Sequence, residues 1–441
     1  MLLVALVSLA IWYLASSVVA WWKLRKFPAV SWVANFSYLW LGKTTYSGRL
    51  YWVHRELHQE HKLVRVGPNE LITGDPDIIR KINKERSGYD RGTWYNGGRI
   101  NPYYDNMFST KQPAAHTKYR SRVGHGYTGR EILDMEIGVD EQLGTLLSVI
   151  KDRYAQLGRH LELAEVTAFF TMDVITRLAF GEAFGYLAQE KDLFGFLGSL
   201  RVLWPRPSPR DKTGFGALMA VAEHHVGKRF SPDAEQVMDM LGSFIHHGLN
   251  QQECEVEGLF MIVAGAESTA SAIRSILVHT MTTPRVYVKL KAEIKTALDE
   301  GTVNSPIQMD QALKLPYLQA VVYEGLRMRP PVLGLLPKVV PAGGDTLGGQ
   351  WVPGGTSICS NTGALLRSRS LFGPDADVFR PERFTELDAT TSRRDMERNV
   401  EFAFGSGQWQ CVGRRIAFMK LSKTVFEPRN IFWDIRLIFT T

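Results

Sequence analysis

Cysteine is scarce in this sequence: Cys254, Cys359 and Cys411 are the only three in 441 residues. None forms a C-x-x-C pair, which argues against a zinc site or a disulfide framework. A sparse, odd count fits a reducing compartment. Zinc-finger spacing, an RNA-binding signature and basic runs interleaved with aromatics are all missing, so nucleic acid is not an expected partner. No internal repeat, low-complexity tract or Pro/Gly/Ser linker divides the chain, and a single large catalytic unit is expected. The composition is 45% hydrophobic and 22% charged, ordinary for a globular protein with a sizeable core.

Charge is also missing from Met1 to Trp22. As a helix this run is about 33 Å long, close to the thickness of a bilayer's hydrocarbon core. Lys23, Arg25 and Lys26 follow at once, a flank that puts the remaining chain on the cytosolic side. A cleaved signal peptide fits less well, because the run has no basic n-region and its apolar stretch is too long. The expected organisation is an anchor over 1–22, a basic, proline-containing hinge over 23–34, and one catalytic domain over 35–441. The net charge is +7, with basic residues at Arg120, Arg122, Arg130, Arg414 and Arg415. These read either as solvated surface or as a patch that steers an acidic protein partner.

The rest is mainly α with minor β. Residues 63–82 read as two short strands around Gly67-Pro68 and then a helix after Asp75-Pro76. Residues 166–185 are apolar enough for a central core helix, and a very long helix is expected over about 250–282. Further helices are expected over 214–230, 284–301 and 317–330, and small hairpins over 343–358.

Cys411 stands in "FGSGQWQCVG", among glycines and just before a helical pattern. An iron-bound thiolate needs an uncrowded sulfur and nearby donors. Gly405 and Gly407 let the loop turn and expose N–H groups, and a helix N-terminus favours an anion. Gly413 lets the helix approach a flat ligand, with Phe404 packed beneath it. A lone cysteine is more often a small buried hydrophobe. The spacing of Phe404, Gly407, Cys411 and Gly413 makes that reading poor.

This stretch resembles the haem-ligand loop of the cytochromes P450, and other markers of that family follow in order. "EGLR" supplies the helical pair Glu324 and Arg327, and "FRPERF" supplies Arg383. The resemblance implies that these three lock the core beneath the haem. "AGAEST" resembles the oxygen-activation motif of a long central helix. It implies Glu267 as proton source, Ser268 helped by Thr269 as hydroxyl relay, and Gly265 as room against the iron. The bland alternative is that mid-helix Ser and Thr bond back to their own carbonyls. "HTKYR" resembles the helix that grips a haem propionate, through His116 and Arg120, and Lys338 stands near a further family cation.

The resemblance implies a haem b cofactor with Cys411 as axial iron ligand. It implies O2 and an apolar small molecule as substrates, and NADPH-cytochrome P450 reductase as electron donor, with cytochrome b5 as a second. By the same resemblance the reductase docks near Cys411, on the face of Arg414 and Arg415. The expected location is the endoplasmic reticulum membrane, single-pass, with the catalytic domain cytosolic. "VGPNELITGDP", "DNMFST", "SPRDKTGFG" and "DMLGSFIHHGL" are similar to the fungal pisatin-demethylase-like group, which implies oxidation of secondary metabolites by hydroxylation, dealkylation or desaturation.

Three departures stand out. Trp409 and Gln408 occupy positions where the family carries a basic residue, so one propionate cation is expected to be missing. Ser268 replaces the commoner threonine, which loosens the hydroxyl rotamer and favours peroxide leakage. The chain is also short around 185–210 and after its last helix. These features keep two alternatives open: a degenerate or truncated haem- or ligand-binding protein, and a haem-thiolate isomerase or dehydratase. The second is disfavoured because Glu267 and Ser268 are present.

Overall fold

Proline starts the helices at Pro76, Pro113 and Pro316, and the side chains of Asp75, Glu162 and Asn250 cap those that begin at Pro76, Leu163 and Gln251. The computed structural model describes residues 2–57, 61–132, 134–199, 208–386 and 392–427. Seven helices matter for the site: α1 (Leu2–Leu24), α2 (Pro76–Asn83), α3 (Pro113–Thr128), α4 (Leu163–Phe180), α5 (Gln251–Met281), α6 (Pro316–Met328) and α7 (Arg414–Phe426).

The long helix expected over 250–282 is α5. It opens with a reciprocal cap: Asn250 Oδ1 accepts from the Glu253 N–H at 2.9 Å, and Glu253 Oε2 accepts from the Asn250 N–H at 3.0 Å. Its apolar residues are buried, so α5 threads the core although length and composition alone would suit a membrane. α4 is buried on nearly all faces and lies along α5, with α6 and α7 packed against other sides of α5. One large core is built on this arrangement.

The strands form a side layer. β1 (Val64–Gly67), β2 (Glu70–Thr73), β3 (Asp90–Arg91), β4 (Lys338–Val339) and β7 (Ser357–Ser360) make a sheet in the order β1-β2-β7-β4-β3. Only the β2–β7 pairing is parallel; Leu71 stands opposite Ile358. β5 (Asp345–Leu347) and β6 (Gln350–Val352) form a separate hairpin. The antiparallel β3–β4 pair sets Arg91 opposite Lys338, although 247 positions separate them in sequence.

Glu324 and Arg327 share one face of α6, as their spacing predicts, and both side chains are fully buried. The pairing is a fork: Arg327 Nε to Glu324 Oε2 at 2.7 Å and Arg327 Nη2 to Oε1 at 2.9 Å. Arg383 donates through Nε to the same carboxylate at 3.0 and 3.1 Å. The remaining guanidinium protons go to backbone oxygens of Leu366, Phe372, Asp375, Ala376 and Val378, and Arg383 also reaches the Asp375 carboxylate at 3.2 Å. One carboxylate thus fixes the irregular segment that leads to the cysteine loop.

α1 exposes its apolar side chains along most of its length. It is attached at its end: Leu24 and Phe27 are buried, and Ala29 bridges to Arg65. Around the expected short region, helical turns occur at Tyr186–Gln189 and Phe196–Ser199. Residues 200–207 and 428–441 lie outside the described residues, and with them the expected short C-terminus.

Candidate active site

The cysteine loop begins with a 3-10 turn over Glu401–Phe404 and reverses through Gly405 and Gly407, with φ of +74° and +61°. Both conformations favour glycine. Gly407 has a second reason: a Cβ there would lie 2.1 Å from the Asn83 carbonyl oxygen at the end of α2. The Cys411 N–H donates to the Phe404 oxygen at 2.7 Å, closing the loop. The backbone N–H that acts to lower the thiol pKa is that of Gly413, whereas the sequence pointed to those of Gly405 and Gly407.

The Cys411 thiol opens into a cavity of about 460 Å³. Opposite walls come from α5, through Ala264, Gly265, Ser268 and Thr269, and from the loop, through Phe404 and Gly413. Burial raises the thiol pKa, while the Gly413 N–H and the charges of Arg120, Arg414 and Lys420 act to lower it. Phe404 packs at a tilt against Phe418 of α7, with ring centres 5.4 Å apart, and lines the cavity together with the cysteine.

On α5, Ser268 lines the cavity and its Oγ donates to the Ala264 oxygen at 2.7 Å, the back-bonded geometry open to any mid-helix serine. Thr269, one residue on, is buried and also lines it. Glu267 is not in the lining; its carboxylate is partly exposed and paired with Arg274 about two turns further along. Gly265 lines the cavity, and a Cβ there would meet Ile175 Cγ1 of α4 at 2.8 Å, so this glycine also permits the close crossing of α4 and α5.

The expected loss of a cation at position 409 is offset by a residue that sequence reasoning overlooked. Arg91, from β3, donates to the oxygens of Met107, Phe108 and Thr110, and its guanidinium lies 4.2 Å from the centre of the Trp409 ring. Lys338 Nζ lies 4.0 Å from the same ring. His116 packs on Trp409 at 4.4 Å, and Arg120 donates to the Gln410 oxygen. Among the described residues no carboxylate pairs with Arg91, Arg120 or Lys338. His116 Nδ1, Arg91 Nε and Trp409 Nε1 are buried without a hydrogen-bond partner.

The electrostatics agree. Burial, then Arg91, holds the Lys338 pKa well below its usual value. Burial followed by the fields of Arg91, Arg120 and Lys338 pushes His116 down to about 3, so its imidazole is neutral. A partly desolvated group of donors and cations without a counter-ion is complementary to an anion. The pairing of β3 with β4 brings the set together, a non-local contact that local pattern does not signal. Of the aromatics in 91–106, Tyr95 lines the cavity, whereas Tyr103 is exposed.

The basic patch read from the sequence is partly spent on internal contacts. Arg122 is paired with Glu253, and Arg414 with Glu401. Arg130 and Arg415 are exposed.

A thiol-floored cavity beneath a long helix finds its counterpart in known proteins. The chain is 58% identical over 445 residues to cytochrome P450 monooxygenase aba1 of Botryotinia fuckeliana, a match covering 94% of this chain and 87% of that protein. The chain belongs to the cytochrome P450 monooxygenases. A family model described as Cytochrome P450 matches residues 220–426 of this P450. The pisatin demethylase of Fusarium vanettenii is 28% identical over 446 residues, covering 94% of this chain and 85% of that one. The fold matches the crystal structure of a cytochrome P450, CYP102L1, with a TM-score of 0.70 at 22% identity, over 87% of this chain and 91% of that one.

The family implies a haem-thiolate cofactor, and the residues of this P450 fit one. A thiol is open to the cavity, and Arg91, Arg120 and Lys338, which no carboxylate pairs among the described residues, line it too; the propionates of a haem would supply the missing anions.

Proposed function

We propose that this P450 is a membrane-tethered haem-thiolate monooxygenase, with Cys411 as axial ligand, that inserts one oxygen atom of O2 into an apolar small molecule. Fungal secondary metabolism or detoxification is the proposed setting. The observation that carries the reading is the cavity itself, with the Cys411 thiol at one wall, the Ser268 and Thr269 hydroxyl residues at the other, and the cations Arg91, Arg120 and Lys338 in its lining.

When bound, the haem supplies the redox chemistry of oxygen activation, which a thiolate ligand favours by pushing electron density toward the iron. The protein does the rest. Arg91, Arg120, Lys338 and neutral His116 bind the propionates, while Phe404 and Gly413 shape the surface beside the sulfur. Ser268 moves protons once its hydroxyl leaves the Ala264 oxygen, with Thr269 beside it. Glu267 supplies protons from solvent, and its pairing with Arg274 makes that arginine the gate. Electrons arrive from NADPH-cytochrome P450 reductase, with cytochrome b5 as a second donor, at the face that carries Arg414 and Arg415.

The anchor proposal concerns α1, whose segment Leu3–Leu24 has a mean hydropathy of 2.2 and almost no buried surface. Trp32, Leu39 and Tyr46 are exposed in the segment that follows, a suitable bed for the bilayer interface. The proposed membrane is the endoplasmic reticulum, with the catalytic domain cytosolic.

The test uses the detergent-solubilised full chain. The reduced carbon monoxide complex is expected to show the red-shifted Soret band of a thiolate ligand, and oxygen uptake is expected to require NADPH and reductase. A folded chain without haem, or with an unshifted band, sinks this reading and leaves the degenerate one. Arg91→Leu is expected to hold haem about tenfold to a hundredfold more weakly, the loss of one charge-assisted contact. Haem content after repeated gel filtration measures it, and full retention would mean that Arg91 does not touch a propionate.

A further inference from the structure

Lys420 is a buried cation that the reading above does not use. It lies on α7, nine residues after Cys411, and is 1% exposed. Its Nζ donates to the Gly265 oxygen of α5 at 3.0 Å, and it lines the same cavity. Among the described residues no carboxylate forms an ion pair with it. The anion whose field acts on it is the Cys411 thiolate.

Two consecutive carbonyls of α5 therefore carry an additional donor: Ala264 accepts from Ser268 Oγ, and Gly265 accepts from Lys420 Nζ. Side-chain donors of this kind compete with the helix ladder and tilt the carbonyls outward. The two donors differ in origin. Ser268 belongs to α5 itself, whereas Lys420 comes from the helix that continues from the cysteine loop. An unpaired buried ammonium costs several kcal/mol in desolvation, so its retention needs a compensating anion and acceptor. Gly265 is its acceptor, and Cys411 lines the same cavity.

A second cluster is excluded by geometry. His125, Glu131 and His247 stand together, with ligand atoms within 4.8 Å of one another. The two imidazoles are stacked at 4.0 Å and 16°, so their in-plane lone pairs run side by side and do not converge on one ion.

We propose that Lys420 is a positioning residue of the oxygenation site, clamping α5 at Gly265 to the helix of Cys411 and supplying, when protonated, a positive charge that offsets the thiolate. This rests on the haem-thiolate reading of Cys411. A cation beside the thiolate favours the reduced iron, which carries one negative charge more. The clamp holds Ser268 at its distance from the sulfur.

The test compares Lys420→Met, which loses donor and charge, with Lys420→Gln, which keeps a donor without the charge. Both are made in the full-length holoenzyme, and the haem midpoint potential is read by spectroelectrochemical titration. Both variants are expected to lower the reduced-to-oxidised ratio at a given potential about tenfold, equivalent to ~59 mV for one electron. Lys420→Met is expected to raise the peroxide released per NADPH, and Lys420→Gln to restore it toward the parent value. An unchanged potential in either haem-loaded variant overturns the charge role, and equal peroxide release by the two overturns the clamp. If Lys420→Met does not retain haem, Lys420→Gln alone decides the potential. Failure of the underlying reading is separate, because the unsubstituted chain would then lack the thiolate spectrum.

Discussion

Cys411→Ser is expected to leave a folded protein whose reduced carbon monoxide complex has lost the red-shifted Soret band and whose turnover falls below detection. The substitution changes one side-chain atom. The loop is closed by backbone, through the Cys411 N–H to the Phe404 oxygen, and by the turns at Gly405 and Gly407, none of which needs sulfur. Thermal unfolding should therefore shift by no more than a few degrees, while the thiolate and its electron donation are gone. Cys254→Ser and Cys359→Ser serve as controls, since both cysteines are fully buried away from the cavity, and each should keep the band. Persistence of the band in Cys411→Ser would overturn the assignment of the ligand.

Glu324→Ala should cost most of the stability of the fold. It leaves the guanidiniums of Arg327 and Arg383, at 0% and 1% exposure, without the carboxylate that both share. Breaking a buried pair by removal of one partner costs about 3–5 kcal/mol, and here one removal leaves Arg327 with backbone acceptors alone and Arg383 with Asp375 as its remaining carboxylate. Total stability for a domain is only about 5–15 kcal/mol. The expected outcome is a thermal midpoint lower by roughly 10 °C or more, with little haem retained, measured by circular dichroism and haem content. A midpoint within two degrees of the parent would show that the triad is not what holds this segment. Arg327→Lys should also destabilise, because an ammonium does not reproduce the fork or its backbone contacts.

Much of this architecture is legible locally. The reciprocal cap of Asn250 and Glu253 and the apolar spacing after it announce α5, and prolines mark the starts of α2 and α6. The E-x-x-R spacing is enough to put Glu324 and Arg327 on one face, and the glycines around Cys411 signal a loop that turns sharply. The reasons for individual glycines are only partly legible. Gly265 also serves a helix crossing and Gly407 a contact with Asn83, because what a missing Cβ avoids depends on a neighbour from elsewhere in the chain.

The order of residues was sufficient for helix positions, the cysteine loop and membership of a haem-thiolate family, because caps, periodicity and turn chemistry act over a few residues. Trp409 reads in one dimension as a lost cation. In the fold it is a surface on which Arg91 and Lys338 rest, and it exists as such only through the pairing of β3 with β4. The orientation of Glu267 toward Arg274 and the reach of Lys420 to Gly265 were likewise decided by tertiary structure. Charge partners in a low-dielectric interior are chosen by distance in space, and that distance is not written in the spacing along the chain.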